Sequence, residues 1–123
     1  MRYILCILLV LLTGCKDKEL TPVGQTYRLI QADQPIEITL TFDKDGRFYG
    51  KAVNNYFGIY QINGQEITLN LQGQTMMAAP TSHMEFESNY LKSLRSIKNF
   101  ELNEDVLILN GNQKYTFKQS NPN

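Results

Sequence analysis

The chain has 123 residues, enough for one domain, with 42% hydrophobic and 20% charged residues and 12 basic groups against 12 acidic ones. Zero net charge with scattered signs excludes the electrostatic footprint of a nucleic-acid binder. Two cysteines and one histidine cannot by themselves supply a four-ligand zinc site. No metal and no cofactor is expected.

The N-terminus reads as a processing signal. Met1-Arg2 is a short positive region, and Tyr3 to Leu12 is an unbroken apolar run. As a helix, ten residues span about 15 Å, half of a hydrocarbon core of about 30 Å, so this is an h-region and not a membrane span. Leu12-Thr13-Gly14-Cys15 follows and resembles the bacterial lipobox, which implies cleavage between Gly14 and Cys15 and lipidation of the Cys15 thiol. Removing residues 1–14 takes away Arg2 and Cys6, so the mature chain has one basic group fewer than acidic and no second cysteine for a disulfide. Two or more acyl chains suffice for stable anchoring. Lys16, where an aspartate commonly signals inner-membrane retention, implies delivery to the outer membrane of a Gram-negative bacterium. Residues 15–25 are polar and turn-rich, the composition of a flexible tether.

From residue 26 to residue 119 the pattern is that of a mainly β domain, with 120–123 as a tail. Ile36–Phe42 alternates strictly and predicts a strand, broken by the turn Asp43-Lys44-Asp45-Gly46. Asn63-Gly64, a pair suited to a type I′ turn, joins Gly58–Ile62 to Glu66–Leu71. Phe100–Asn103, Val106–Asn110 and Tyr115–Lys118 complete about eight short strands, expected as an antiparallel meander or barrel-like sheet. One segment changes period. Phe86, Tyr90, Leu94 and Ile97, with Leu91, predict one α-helix over about residues 83–97, packed on the sheet. Ser82-His83-Met84-Glu85 fits a capping box with Ser82 as N-cap.

No catalytic constellation is assembled by these elements, and the chain is read as a non-enzyme. A calcium loop started at Asp43 would need an oxygen ligand at its fifth position and a glutamate at its twelfth, where Arg47 and Asn54 stand, so that segment is a hairpin turn. Ser82 and the lone His83 are adjacent and point apart, and Glu85 and Glu87 lie on different helix faces. Glu87 is expected to accept backbone or tyrosine donors. Two stretches remain as protein-contact loops. Asn54-Asn55-Tyr56-Phe57 is polar and then aromatic, although Asn54 and Tyr56 favour a structural role. Thr75-Met76-Met77-Ala78, within the uncharged segment 72–81, offers either a wedge for a cleft or, the favoured alternative, a strand whose methionines fill the core.

The middle of the chain resembles the META domain, also called HslJ-like, of bacterial envelope lipoproteins. Gly50-Lys51-Ala52-Val53-Asn54-Asn55-Tyr56-Phe57-Gly58-Ile59-Tyr60 matches its first block and Thr75–Pro80 its second. Met84, Glu87, Tyr90, Leu91 and Leu94 match its helix, and the leading tryptophan falls at Tyr27. The resemblance runs from Tyr27 to Phe117. It implies a β-barrel-like sheet with one helix, an envelope setting linked to heat or virulence, and no established catalysis. The family's paired cysteines fall at Val53 and Ala79, so a redox role tied to that pair is not implied here. In tether, length and β content the chain is also similar to small outer-membrane lipoproteins that inhibit peptidases, the potempins, without sharing a diagnostic motif. The expectation is a monomeric lipoprotein, held to the membrane through Cys15, that binds a protein partner and most concretely inhibits a co-localised secreted peptidase. The alternative is an envelope stress or maintenance protein without a peptidase target.

Overall fold

The computed structural model describes residues 20–120. The expected signal peptide, the expected Gly14–Cys15 cleavage and lipidation site and residues 15–19 of the expected tether lie outside them. Eight antiparallel strands follow one another around a closed barrel. They are β1 (Thr26–Leu29), β2 (Thr39–Phe42), β3 (Arg47–Lys51), β4 (Asn55–Asn63), β5 (Glu66–Gln74), β6 (Asn99–Asn103), β7 (Val106–Asn110) and β8 (Lys114–Gln119). The single helix α1 (Thr81–Leu94) lies between β5 and β6. Closure is made by β1 against β8, with Tyr27 opposite Gln119 and Leu29 opposite Phe117.

Alternation decides which side chains fill the interior. Tyr27, Leu29, Leu40, Phe42, Phe48, Tyr56, Tyr60, Ile67, Leu69, Phe100, Leu107, Leu109, Tyr115 and Phe117 point inward and are buried. Tyr90 of α1 meets Tyr56 on β4 (ring centroids 5.7 Å) and Tyr115 on β8 (5.5 Å), both edge-on. Strands four apart in a ring of eight are on opposite sides, so Tyr90 packs α1 across the barrel interior. Gly50 leaves room for this packing. A Cβ there would sit 2.0 Å from the Thr39 carbonyl oxygen and 2.7 Å from the Tyr56 hydroxyl. Gly58 marks a bulge, where the β4–β5 register shifts between Phe57 and Gly58.

Several sequence expectations need correction. The strand expected over Ile36–Phe42 begins only at Thr39, although Ile38 is fully buried and its carbonyl accepts from Leu29 N–H. The helix spans Thr81–Leu94, two residues earlier at its start and three at its end than expected. Ser82 is not the N-cap: Pro80 is the extended residue (ψ 148°), its carbonyl accepts from His83 and Met84 N–H, and no side chain caps the end. Ser82 is already helical, whereas an N-cap requires a non-helical backbone. At the other end Ser96 N–H bonds to Ser93 O and Ile97 N–H to Leu94 O, so the chain tightens to i→i−3 pairing while Ile97 stays buried. In the β4–β5 hairpin Asn63 pairs with Glu66, leaving Gly64-Gln65 as the loop. Gly64 alone has positive φ (65°), which fits type II′ and not the expected I′.

Candidate functional site

The turn between β3 and β4 places Asn54 beneath the segment that links β5 to α1. Its side chain is 3% exposed, and Glu87, reaching from α1, is 4% exposed. Asn54 N–H donates to Glu87 Oε2 (2.7 Å) and Asn54 Nδ2 to Oε1 (3.0 Å), so one carboxylate receives both donors of one residue. The Asn54 Oδ1 atom accepts from Met77 N–H (2.6 Å) and from Thr75 Oγ1 (3.2 Å). Thr75 Oγ1 in turn accepts from Asn55 N–H, and Thr75 N–H donates to Asn55 O (2.9 Å). Residues 75–77 are thereby held along their backbone by two consecutive asparagines. Charge-assisted hydrogen bonds to a buried carboxylate are the stronger kind, which makes this a rigid support.

With the backbone tied down, the side chains turn outward. Met76 is 87% exposed and Met77 52%. The favoured reading of these methionines as core-filling strand residues is therefore wrong. β5 ends at Gln74, and 75–80 is an irregular exposed segment because its backbone groups bond to Asn54 and Asn55 in place of a ladder. Beside it lies an open groove of about 500 Å³, bordered by Leu71, Met84 and Leu91, with Lys92 and Arg95 along the helix side. Among the described residues the one ion pair is Arg28–Glu37, so neither Lys92 nor Arg95 has a carboxylate partner there.

The structure divides the eight expected contact residues. Asn55, Phe57, Thr75, Met76, Met77 and Ala78 are exposed, whereas Asn54 and Tyr56 are buried and cannot touch a partner directly. Tyr56 is a strut. Its hydroxyl donates to Thr39 O (2.6 Å) and stands 2.6 Å from the Tyr90 hydroxyl, which must then donate to it. Burial raises Tyr56 well above the ordinary tyrosine value, and Tyr90 likewise, with Tyr56 adding to the effect. Glu87 is the acceptor its sequence position suggested. The groove's helix side was missed: Met84, Ser88, Lys92 and Arg95 recur at helical spacing, but spacing does not say which cleft a stripe borders. Val53 and Ala79, the family's cysteine positions, lie in the two segments that Asn54 joins.

A small antiparallel barrel with one helix packed on it, and its connecting segment held as an exposed strip, defines the class of protein. The META domain profile matches residues 19–122, and the chain belongs to this family. Three solved structures share the fold at 22% identity each. A Burkholderia xenovorans protein solved by NMR has a TM-score of 0.66 and covers 85% of this chain and 96% of its own. A further protein solved by NMR has a TM-score of 0.60, with 81% and 95% covered. A DUF4847 family protein from Bacteroides vulgatus, solved by crystallography, has a TM-score of 0.53, with 70% and 60% covered. No curated protein matches the chain.

Proposed function

We propose that this protein is a lipid-anchored, non-enzymatic outer-membrane lipoprotein that acts by binding another protein, most concretely by inhibiting a co-localised secreted peptidase. The observation that carries this reading is the strip Thr75–Pro80. Its backbone is fixed from below by Asn54 and Asn55, while Met76 and Met77 project into solvent. A segment already held in its bound conformation loses little ordering entropy on docking. It is uncharged and extends into Pro80 at φ −56° and ψ 148°, a shape that a cleft reading extended backbone accepts. Anchoring at Cys15 would keep the strip at the envelope, where secreted peptidases pass.

Two experiments test the two halves. Cys15→Ser should leave the precursor unprocessed and abolish palmitate labelling; labelling that survives the change removes the anchor from the reading. The purified domain should inhibit a peptidase secreted by its own host, and Met77→Asp should weaken that inhibition at least tenfold, about 1.4 kcal/mol. The thermal midpoint should barely move, because Met77 is exposed. A domain that inhibits none of those peptidases leaves the envelope-maintenance alternative.

A further inference from the structure

A second exposed apolar surface lies on the barrel wall, away from the Met76–Met77 strip. Tyr49 on β3 and Phe57 on β4 are direct cross-strand partners, and Ile59 follows on the same face of β4, opposite Arg47. These three are 39–50% exposed. Phe57 leans over Gly73 of β5, where a Cβ would meet its ring at 2.7 Å, so bare backbone lets the aromatic lie along the wall. The other outward positions of β2, β3 and β4 carry Arg47, Lys51, two threonines and amides, and none is a carboxylate. Acidic groups flank the face at the β2–β3 turn, where the Asp43 carboxylate folds back to accept Asp45 and Arg47 N–H while Asp45 itself is exposed, and at Glu66 of β5, opposite Asn63.

The N-terminal segment arrives on the same flank. Gly24 N–H donates to Phe42 O, and Gly24, Lys44 and Tyr49 border one shallow concavity together with Asp43 and Asp45. Cys15 lies nine residues before Gly24, a span of about 31 Å when fully extended. A lipid on Cys15 would hold the barrel within that reach of the bilayer, with the chain entering on this flank. Aromatic side chains favour the membrane–water interface, and Arg and Lys favour anionic headgroups. A short tether raises the effective concentration into the millimolar range, so a weak contact suffices.

We infer that the Tyr49–Phe57–Ile59 face, flanked by Arg47 and Lys51, is the surface on which the barrel rests against the anionic phospholipid leaflet that holds Cys15. The inference rests on the lipid-anchor reading above, and its test separates the two. Once Cys15 is acylated the mature chain has no other thiol, so one introduced cysteine can carry an environment-sensitive fluorophore. Gln61→Cys places it next to Ile59 on β4, and Asn112→Cys places it on the β7–β8 turn, three strands further round the barrel. The lipidated protein is reconstituted in phosphatidylethanolamine–phosphatidylglycerol vesicles containing brominated phospholipid.

Bromolipid should quench the Gln61 probe at least about twofold more than the Asn112 probe. Tyr49→Ser with Phe57→Ser, or Arg47→Glu with Lys51→Glu, should erase the difference while the protein still floats with the vesicles. Equal quenching at both probes in floating protein overturns this inference and leaves the anchor intact. Protein that neither floats nor takes up palmitate overturns both. A shielded Gln61 probe in the absence of vesicles assigns the face to a second copy of the chain, which also overturns it.

Discussion

Asn54 directs its polar groups at three separate segments: its own turn, the 75–77 strip, and Glu87 on α1 thirty-three residues away. Removing either partner of the buried pair leaves donors or a carboxylate without their match. Asn54→Ala and Glu87→Ala should each cost about 3 kcal/mol in urea denaturation. The double variant should cost little more than either single one, and full additivity would show that the two do not act as a pair. Asn54→Ala should also speed amide exchange at Met77, whose N–H loses its acceptor. The tyrosines set the alkaline limit. Burial pushes Tyr27 up to about 12 and raises Tyr56 and Tyr90 well above the ordinary value, so the fold favours their neutral forms. A value raised on folding contributes stability that is complete below the unfolded value near 10 and is lost as pH climbs through the folded one. The thermal midpoint should therefore be insensitive to these groups at neutral pH and fall from about pH 10 upward, less steeply in Tyr27→Phe. At this scale the sequence was informative about kind and silent about pairing. An acidic residue on the apolar side of a helix announces a buried acceptor, but no local spacing identifies Asn54 as its donor.

Helix α1 was legible because its period is strong. Tyr90, Leu91 and Leu94 are buried where the stripe put them, while Lys92 faces the groove. Leu94→Ala should cost about 2–5 kcal/mol, and Lys92→Ala should stay within about 0.5 kcal/mol. Ser82→Ala should also be nearly silent, within about 0.5 kcal/mol, where a true N-cap would cost about 1. Chemical denaturation of the three variants distinguishes the observed start at Thr81 from the capping-box register. The helix ends were misread for a physical reason. Pro80 already supplies the extended residue and the first acceptor carbonyl, and the tightened turn beyond Leu94 keeps Ile97 in the core without extending the α-helix. Thioethers at 76 and 77 defeated pattern reading differently. Hydrophobicity implies burial only when the backbone can join a ladder, and here Asn54 and Asn55 take those hydrogen bonds.

The barrel as a whole has one thin seam. Strands β1 to β5 pair through successive hairpins or short connections, as do β6 to β8, but the chain between β5 and β6 detours through the 75–80 strip and α1. Where those strands meet, the ladder is the pair Glu66–Asn99, flanked by Ile67 N–H to Lys98 O (3.0 Å) and Phe100 N–H to Gln65 O (2.9 Å). Two interfaces further round the ring, β7 and β8 pair continuously from Val106–Lys118 to Asn110–Lys114. Strand existence could be read from alternation. Closure could not, because β1 meets β8 across some ninety residues and no local signal records that encounter. A thin seam should open before the rest. Native-state amide exchange should give Ile67 and Phe100 opening free energies about 1–2 kcal/mol below those of Leu109 and Tyr115. Because α1 joins these two strands in sequence and buries Leu94 in the core, Leu94→Ala should lower protection at the seam further than in β7 and β8. Equal protection at all four amides would mean that the barrel opens as a single cooperative unit.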